Sequence, residues 1–225
     1  DYRLIALAPA SVQEMADFVG IAFDLAFKYR NPAIILADGV IGQMMEKVVL
    51  PEQRTRLTDE EVIARCPWAT TGRTHHRTPN IITSLELDPA EMEKRNIHLQ
   101  KKYAEIEENE VRFEELHCED AEYLIVAFGS CARIAQKAME IAREEGIKVG
   151  LLRPITLWPF PSKAIAARAA QVKGILTVEL NAGQMVEDVR LAVECKVPVE
   201  HFGRLGGIVP DPDEVITALK EKLIK

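Results

Sequence analysis

The sequence predicts an α/β protein. A mostly parallel sheet with helices on both faces is preceded by the tail of another α/β domain and a helical connector. Three observations support this. From residue 121 onward, short apolar runs alternate with amphipathic helical segments; residues 4–37 read as strand, helix and strand; and the apolar periodicity lapses between about residues 51 and 80. Strands that alternate with helices pair in parallel and are covered on both faces.

The first segment predicts one strand–helix–strand unit. Residues 4–8 form an apolar strand that Pro9 ends, and Ser11 followed by Glu14 predicts a capping box for a helix that continues to about Tyr29. Residues 33–37 form a second strand, which ends at Asp38. A unit of this size cannot close a core alone. Because the chain starts directly before an apolar strand, we expect it to be a fragment of a longer polypeptide.

The middle of the chain predicts an exposed connector, residues 51–118. Prolines and polar runs occupy its first part, with a basic patch at 73–77, and residues 81–87 could form a strand. Asp88 then caps a charged helix predicted over about 90–116. Its apolar positions are sparse, so we expect one narrow stripe to pack while the rest is solvated, as in a helix that bridges domains.

The last segment, residues 119–225, predicts a complete small α/β domain. Strands are expected over 123–128, 147–152, 175–179 and 197–202, and helices over 130–145, 162–171, 184–194 and 213–223. The strands ending at 152 and 179 both run into polar loops, which suggests adjacent parallel strands whose carboxyl ends face one crevice. Open α/β sheets bind ligands or partners at such edges.

Composition excludes several function classes. The net charge of -7 and the lack of a basic stripe disfavour nucleic acid, and no apolar run is long enough to span a membrane. The four cysteines are widely spaced without a C-x-x-C pair, which predicts free thiols in a reducing, cytoplasmic compartment rather than disulfides or a metal site. The pair His75 and His76 lies among arginines, without the acids or thiols that would complete a metal site.

Two candidates lie after the strand that ends at 152. Arg153 can fork onto a carboxylate or phosphate of a ligand, or onto an acid of a neighbouring domain, and we favour the interface role. Trp158 and Phe160 alternate with prolines and predict a rigid, exposed apolar knob outside regular structure, for which partner-subunit packing is the preferred role.

Further candidates follow other strands. Asn181, Gly183 and Gln184 offer amides and a close backbone approach, and Arg204 lies in a third edge loop with glycines 206 and 207. Ser130 is expected to cap the helix that follows it, with a weak anion site on the helix N terminus as the alternative. Asp38 could position a cofactor, or it could only stabilise the turn that it forms with the following glycine.

Several segments also carry a resemblance to a known family. They resemble the α subunit of the 2-oxoacid:ferredoxin oxidoreductases, most like the branched-chain type that acts on 2-oxoisovalerate (3-methyl-2-oxobutanoate). The resemblance covers nearly the whole chain and rests on the order of five segments: DYRLIALAPASVQEM, YRNPAIILADGVIGQMME, HLQKKYAEIEENEVRFEE, LLRPITLWPFP and VELNAGQMVEDVRLAV.

The resemblance implies an architecture and a division of labour. Residues 1–50 would be the tail of a thiamine pyrimidine-binding domain, 51–118 the connector, and 119–225 a domain like the C-terminal domain of transketolase. The full complex would use thiamine diphosphate with magnesium and iron–sulfur clusters. A β subunit would carry the diphosphate site and a cluster, beside a γ subunit, ferredoxin, coenzyme A and a 2-oxoacid. The glutamate that activates thiamine would lie upstream of Asp1. None of the candidate residues would be catalytic, no cofactor would bind this chain alone, and it would be inactive by itself.

Two other functions fit the residues. The chain could be a non-catalytic module that only docks subunits through its sheet edge. It could also be the equivalent domain of a lipoyl-linked oxoacid dehydrogenase, which the long charged helix and the LLRPITLWPFP segment fit less well.

Overall fold

The structure, a computed structural model, describes residues 2–70 and 78–224. The chain forms two compact units, residues 1–49 with 106–225 and residues 50–105. Within the first of these, we call residues 2–49 the N-terminal lobe and residues 110–224 the C-terminal lobe. The histidine pair and the basic patch at 73–77 lie outside the described residues.

The N-terminal lobe contains the expected strand–helix–strand unit. Strand β1 (Ile5–Leu7) leads into helix α1 (Val12–Tyr29), which is followed by strand β2 (Ala33–Ile35) and the short helix α2 (Gly39–Gln43). The two strands pair in parallel. The hydroxyl of Ser11 accepts a hydrogen bond from the Glu14 amide at 3.1 Å, as predicted, whereas the Glu14 carboxylate accepts from the amide of Ala10 instead of closing the box on Ser11.

A strand from the second half of the chain completes this small sheet. Strand β6 (Thr156–Trp158) pairs antiparallel with β1, which gives the order β2-β1-β6. The prediction that the segment around Trp158 stays outside regular structure was therefore wrong. The edge of β1 offers backbone hydrogen-bonding groups to β6, and because β1 is distant in sequence, the residues around Trp158 could not reveal this pairing. Beside it, the Ala8 amide donates to the Ile155 carbonyl at 2.8 Å.

The unit of residues 50–105 is mostly irregular. It holds helix α3 (Asp59–Arg65) and the start of helix α4 (Pro89–Asn109). Asp88 Oδ1 accepts hydrogen bonds from the amides of Ala90 and Glu91 at 2.8 and 3.1 Å, so the predicted cap is confirmed. The strand considered for residues 81–87 is wrong: this segment forms no regular secondary structure, and its apolar side chains are exposed.

Helix α4 ends earlier than the sequence predicted, at Asn109 instead of 116. Residues beyond it form strand β3 (Phe113–Leu116), which pairs antiparallel with strand β5 (Val149–Pro154). Two charged side chains favour this arrangement, because Glu114 and Glu115 face arginines of the C-terminal lobe. Glu115 forks onto Arg168 with contacts of 2.7 and 2.8 Å.

The C-terminal lobe is the predicted α/β layer structure. A five-stranded sheet has the order β3-β5-β4-β7-β8, in which the last four strands are parallel. The remaining elements are β4 (Tyr123–Ala127), α5 (Gly129–Glu144), α6 (Ser162–Ala169), β7 (Gly174–Glu179), α7 (Met185–Val193), β8 (Val199–Gly203), α8 (Pro212–Leu219) and a π-helical turn (Lys220–Ile224). The expectation that β5 and β7 are neighbours was wrong, because β4 lies between them.

Both faces of this sheet are covered. One face packs against α5 and α8 through residues such as Met139 and Leu219, and the other packs against α6 and α7 through Ile165 and Val189. The fold class predicted from the alternation of elements is confirmed. Across residues 2–70 and 78–224, no helix combines the length and the apolarity needed to cross a membrane.

Candidate functional site

The topology of the C-terminal lobe defines a crevice at one sheet edge. From β4 the chain passes to β5 on one side, and from β7 it passes to β8 on the other. The carboxyl ends of β4 and β7 therefore flank the point at which the winding direction reverses. Doubly wound sheets bind their ligands at such a point, because two helix N termini open there side by side. We call this region the switch-point crevice.

The first helix at the crevice, α5, is capped by a residue from the N-terminal lobe. The Ser130 amide donates a 2.7 Å hydrogen bond to Oδ2 of Asp38. The other oxygen of Asp38, Oδ1, accepts from the amides of Val40 and Ile41 at 3.0 Å each and so caps α2. The prediction that Ser130 caps α5 was wrong, since Phe128 occupies the cap position and Ser130 lies in the first turn. The Asp38 carboxylate took the place of a local cap.

The second helix at the crevice, α7, is capped by Glu179, whose side chain is fully buried. Its Oε2 accepts from the amides of Gln184 and Met185 at 3.1 and 2.8 Å, and its Oε1 accepts from the Val186 amide at 3.0 Å. The sequence reasoning noted this acid only as a strand end. The sequence could have indicated this role, because Glu179 is the last residue of a buried strand and lies a few residues before a helix that lacks a local capping side chain.

The loop after β7 is held by several polar contacts. Asn181 Oδ1 accepts from the Gly183 amide at 2.7 Å, and the φ of 109° at Gly183 is one that other residues rarely adopt. The His201 ring lies with Nε2 3.3 Å from the Asn181 carbonyl and Nδ1 3.4 Å from Glu179 Oε1. The close backbone approach expected at Gly183 is tighter still at Gly203, where an added Cβ would lie 2.1 Å from the Asn181 oxygen.

The third edge loop begins at Arg204. Its backbone amide donates to the Glu179 carbonyl at 3.2 Å, and its guanidinium donates to Glu214 Oε1 at 2.8 Å. Leu205 and Ile208 of this loop are more than half exposed. Arg204 thus connects the loop to β7 and α8. The side chain of Gln184, from the neighbouring loop, is exposed at the mouth of the crevice.

Arg153 lies away from the switch-point crevice, at the seam between the two lobes. Its two terminal nitrogens each donate to one oxygen of Glu14 at 2.8 Å, and its Nε lies 2.9 Å from Glu114 Oε2. Burial alone would raise the pKa of Glu14, but hydrogen bonds from Arg153 and the Ala10 amide hold it below its ordinary value of 4.5. The guanidinium therefore binds acids of its own chain.

Trp158 and Phe160 line an open cavity of about 690 Å³. Both side chains are half-buried, and Val111 and Phe113 complete the apolar wall. At its rim Lys163 pairs with Glu108 at 2.8 Å. The two aromatic rings therefore form the wall of a cavity, not a protruding knob.

The structure thus sorts the candidate residues into two groups. One group contacts the switch-point crevice: Asp38, Asn181, Gly183, Gln184 and Arg204. The other, Arg153, Trp158 and Phe160, contacts the N-terminal lobe or the nearby cavity. At the crevice, the carboxylates of Asp38 and Glu179 both act on the buried thiol of Cys131. Burial first, and then these two carboxylates, raise the pKa of Cys131 to about 12, so the thiol is protonated and unreactive at neutral pH.

The described residues do not fit thiamine diphosphate on their own. The cofactor needs a buried carboxylate that is free to hydrogen-bond its aminopyrimidine, and a group that holds its diphosphate. The two buried acids among the described residues are Glu110 and Glu179, and both are fully engaged by other groups of the chain. Both helix N termini at the crevice carry protein carboxylates, which would repel a diphosphate. Within the described part of the chain, no cluster of three or more metal-ligating side chains occurs.

Comparison with known proteins identifies the family. The family model described as "Pyruvate flavodoxin/ferredoxin oxidoreductase, thiamine diP-bdg" matches residues 1–116. The model "Pyruvate:ferredoxin oxidoreductase core domain II" matches residues 121–215. The chain belongs to the pyruvate flavodoxin/ferredoxin oxidoreductase family. The resemblance inferred from the five sequence segments is thereby confirmed.

Individual relatives refine this assignment. The ketoisovalerate oxidoreductase subunit VorB of Methanothermobacter marburgensis is 46% identical over 98% of this chain and 61% of its own length. The 2-oxoglutarate synthase subunit KorA of the same organism is 31% identical over 97% of this chain and 64% of its own. The chain spans about three fifths of the curated relatives it matches, and their subunit letters differ from the α designation of the resemblance.

A solved structure supports the fold. The 2-oxoglutarate:ferredoxin oxidoreductase from Magnetococcus marinus, with 2-oxoglutarate, coenzyme A and succinyl-CoA bound, superposes with a TM-score of 0.73. The superposed region covers 96% of this chain and 42% of the Magnetococcus chain, and the two sequences are 23% identical. At this identity the likeness shows the fold alone, and it agrees with the layers and topology described above.

Proposed function

We propose that this chain is part of a thiamine diphosphate-dependent 2-oxoacid:ferredoxin oxidoreductase. The reaction joins the acyl group of a 2-oxoacid to the thiol of coenzyme A, releases carbon dioxide, and passes the electron pair to ferredoxin. The observation that carries the proposal is the similarity to a ketoisovalerate oxidoreductase subunit, 46% identical over 98% of the chain. We take 2-oxoisovalerate as the substrate, because the identity to the 2-oxoglutarate synthase subunit is lower, at 31%.

The cofactors and partners of the whole enzyme belong to the same proposal. Thiamine diphosphate with magnesium and the iron–sulfur clusters would be held mainly outside this chain, by a β subunit that works with a γ subunit and ferredoxin in the cytoplasm. Two features support this division: the buried acids described here are occupied, and both helix N termini at the crevice carry carboxylates.

The role proposed for this chain is to buttress the active-site cleft. Residues 1–50 would end the pyrimidine-binding domain, 51–118 would connect, and 119–225 would form the domain like the C-terminal domain of transketolase. The junction between the two matching family models, at 116 to 121, supports the second boundary. The seam between the lobes, with Arg153 on Glu14, gives this role a physical basis because it fixes two layers of the enzyme against each other.

The test is an assay of the intact, anaerobically purified complex. Viologen or ferredoxin reduction would be measured with 2-oxoisovalerate, pyruvate and 2-oxoglutarate, with omission of coenzyme A and of thiamine diphosphate as controls. We expect the highest rate on 2-oxoisovalerate and none without either cofactor. A preference for another acid would remove the substrate assignment, and turnover that is indifferent to thiamine diphosphate would refute the whole proposal. Reduction of lipoate instead of ferredoxin would favour a lipoyl-linked dehydrogenase.

A second candidate function is a docking module with no contact to cofactor or substrate. Arg153 and Arg204 favour this function, because acids of the same chain already bind both guanidinium groups, which are therefore not available to a cofactor or substrate. The variants Arg153→Lys, Asn181→Ala and Gln184→Ala separate the two functions. A loss of turnover in an assembled complex favours a direct role in the cleft, and a loss of assembly alone favours docking.

A further inference from the structure

The switch-point crevice contains two anion-binding helix ends, and the chain fills both with its own carboxylates. Glu179 is a local occupant, because it precedes the α7 amides that it binds by five to seven residues. Asp38 is a distant one, because it lies 92 residues before Ser130, in the other lobe. A helix N terminus attracts anions through its free amides and its dipole. One anion site of the C-terminal lobe is therefore satisfied only by the N-terminal lobe.

The fit around Asp38 is close. Gly129 has a φ of 61°, and a Cβ added there would lie 2.6 Å from Asp38 Oδ2. Glycine is thus needed at this position both for its backbone conformation and for room for the carboxylate. The two oxygens of Asp38 divide their hydrogen bonds, so one side chain fixes α2 and α5 together.

Among the described residues, this carboxylate accepts its hydrogen bonds from backbone amides. Ser130 is 4% exposed, and its hydroxyl oxygen has no hydrogen-bond partner among the described residues. The neighbouring Cys131 thiol is neutral. The negative charge of Asp38 is therefore stabilised by backbone amides. The contact with α5 should thus depend on the length and charge of the side chain at position 38.

We propose that the N terminus of α5 is a carboxylate-binding site whose resident ligand is Asp38, which makes Asp38 the positioning residue that sets the N-terminal lobe against the C-terminal lobe. Other links cross the same seam, among them Glu14 with Arg153 and Glu46 with Arg133 at 2.7 Å. Both are ion pairs between long side chains. Asp38 has a short side chain that contacts backbone on both sides, so of these three side-chain links it permits the least variation in the distance between the lobes.

The experiment replaces the resident carboxylate by a free one. Asp38→Ala, made in the intact enzyme, empties the site, and formate is then added as the probe. We expect the variant to have a lower Tm than the wild type and roughly tenfold faster hydrogen exchange at the Ser130 amide. Formate should restore both in Asp38→Ala, and it should leave the wild type unchanged because its site is filled.

A matched control is Asp211→Ala, which removes another capping aspartate. Asp211 accepts from the Glu214 amide at 2.8 Å, within the C-terminal lobe and exposed to solvent. This variant should lose a similar cap and show no recovery with formate. Equal responses of the two variants to formate, or unchanged Ser130 exchange in Asp38→Ala, would overturn the proposal.

A double-mutant cycle tests the contact by another route, should Asp38→Ala alone fold poorly. Gly129→Ala introduces backbone strain and also pushes against Oδ2 of Asp38. The strain is common to both backgrounds, whereas the push exists only when Asp38 is present. Gly129→Ala should therefore lower Tm more in the wild type than in Asp38→Ser or Asp38→Ala, whose shorter side chains leave room for the added methyl group, and equal effects would refute the contact. These measurements need no turnover, so they stand or fall apart from the proposed reaction.

Discussion

The two sheets of the large unit differ in how they are covered. In the C-terminal lobe, β5 and β7 are buried along their whole length between two layers of helices. In the N-terminal lobe, Ile34 of β2 and Leu36 just after it are partly exposed at an open edge, and α1 exposes Phe23 by 62% and Phe27 by 53%. The first sheet has a closed core, while the second obtains one of its three strands from the other lobe.

The two lobes are therefore stabilised in different ways. The C-terminal lobe is stabilised by apolar burial, which needs no specific partner. The N-terminal lobe is attached by strand β6 and by carboxylates that reach across the seam, so its position depends on a few polar contacts. We expect substitutions to separate these two modes of stabilisation.

The largest effect should come from the closed core. Leu176→Ala removes a side chain in β7 that is fully buried. Such truncations cost about 2–5 kcal/mol of unfolding free energy, because a cavity remains. Phe23→Ala, on the exposed face of α1, should cost less than about 1 kcal/mol in the isolated polypeptide. Chemical denaturation compares the two, and equal costs would contradict the contrast between the sheets.

The next effect should come from the fork across the seam. Arg153→Ala leaves Glu14 and Glu114 without their cation and should cost about 2–3 kcal/mol, below the ~3–5 of a fully buried pair, because Glu14 is partly solvated. The matched control is Arg168→Ala, which breaks the fork to Glu115 inside the C-terminal lobe, where both partners are about a fifth exposed. Its cost should be about 1 kcal/mol, measured by the same denaturation.

A smaller effect is expected at Glu110, which is 5% exposed. One of its oxygens accepts from Lys28 and from the Tyr29 hydroxyl, both at 2.7 Å, and so ties the end of α1 to the chain after α4. Glu110→Gln should cost about 1–2 kcal/mol through loss of the charge-assisted bonds. Glu91→Gln, which breaks an exposed pair with Lys94, should stay within about 0.5 kcal/mol. Thermal unfolding of both variants would show whether burial makes this difference.

The smallest effect concerns pH. Because the folded state lowers the pKa of Glu14 below 4.5, its contribution to stability is complete above that value and is lost as the pH falls through the lowered pKa. Glu14→Gln should therefore be less stable than the wild type at neutral pH, with the gap narrowing below about pH 4. Parallel stability curves across that range would show that the Arg153 fork does not lower this pKa.

Sequence reasoning succeeded where the determining contacts are local. The caps at Ser11 and Asp88 act within three residues, and the alternation after residue 121 gave the layers of the C-terminal lobe. It failed where partners are distant. Strand β6 depends on β1 at the other end of the chain, and Ser130 lost its capping role to Asp38, 92 residues away. Glu14 was likewise missed as the partner of Arg153, because the two lie 139 residues apart in the sequence.

The most direct test of this account is an experimental structure of the intact enzyme with thiamine diphosphate bound. We expect Asp38 to remain on the Ser130 amide and Glu179 on the amides of Gln184 through Val186, with the diphosphate bound by residues outside this crevice. A phosphate oxygen within hydrogen-bonding distance of those amides, with either carboxylate displaced, would contradict it.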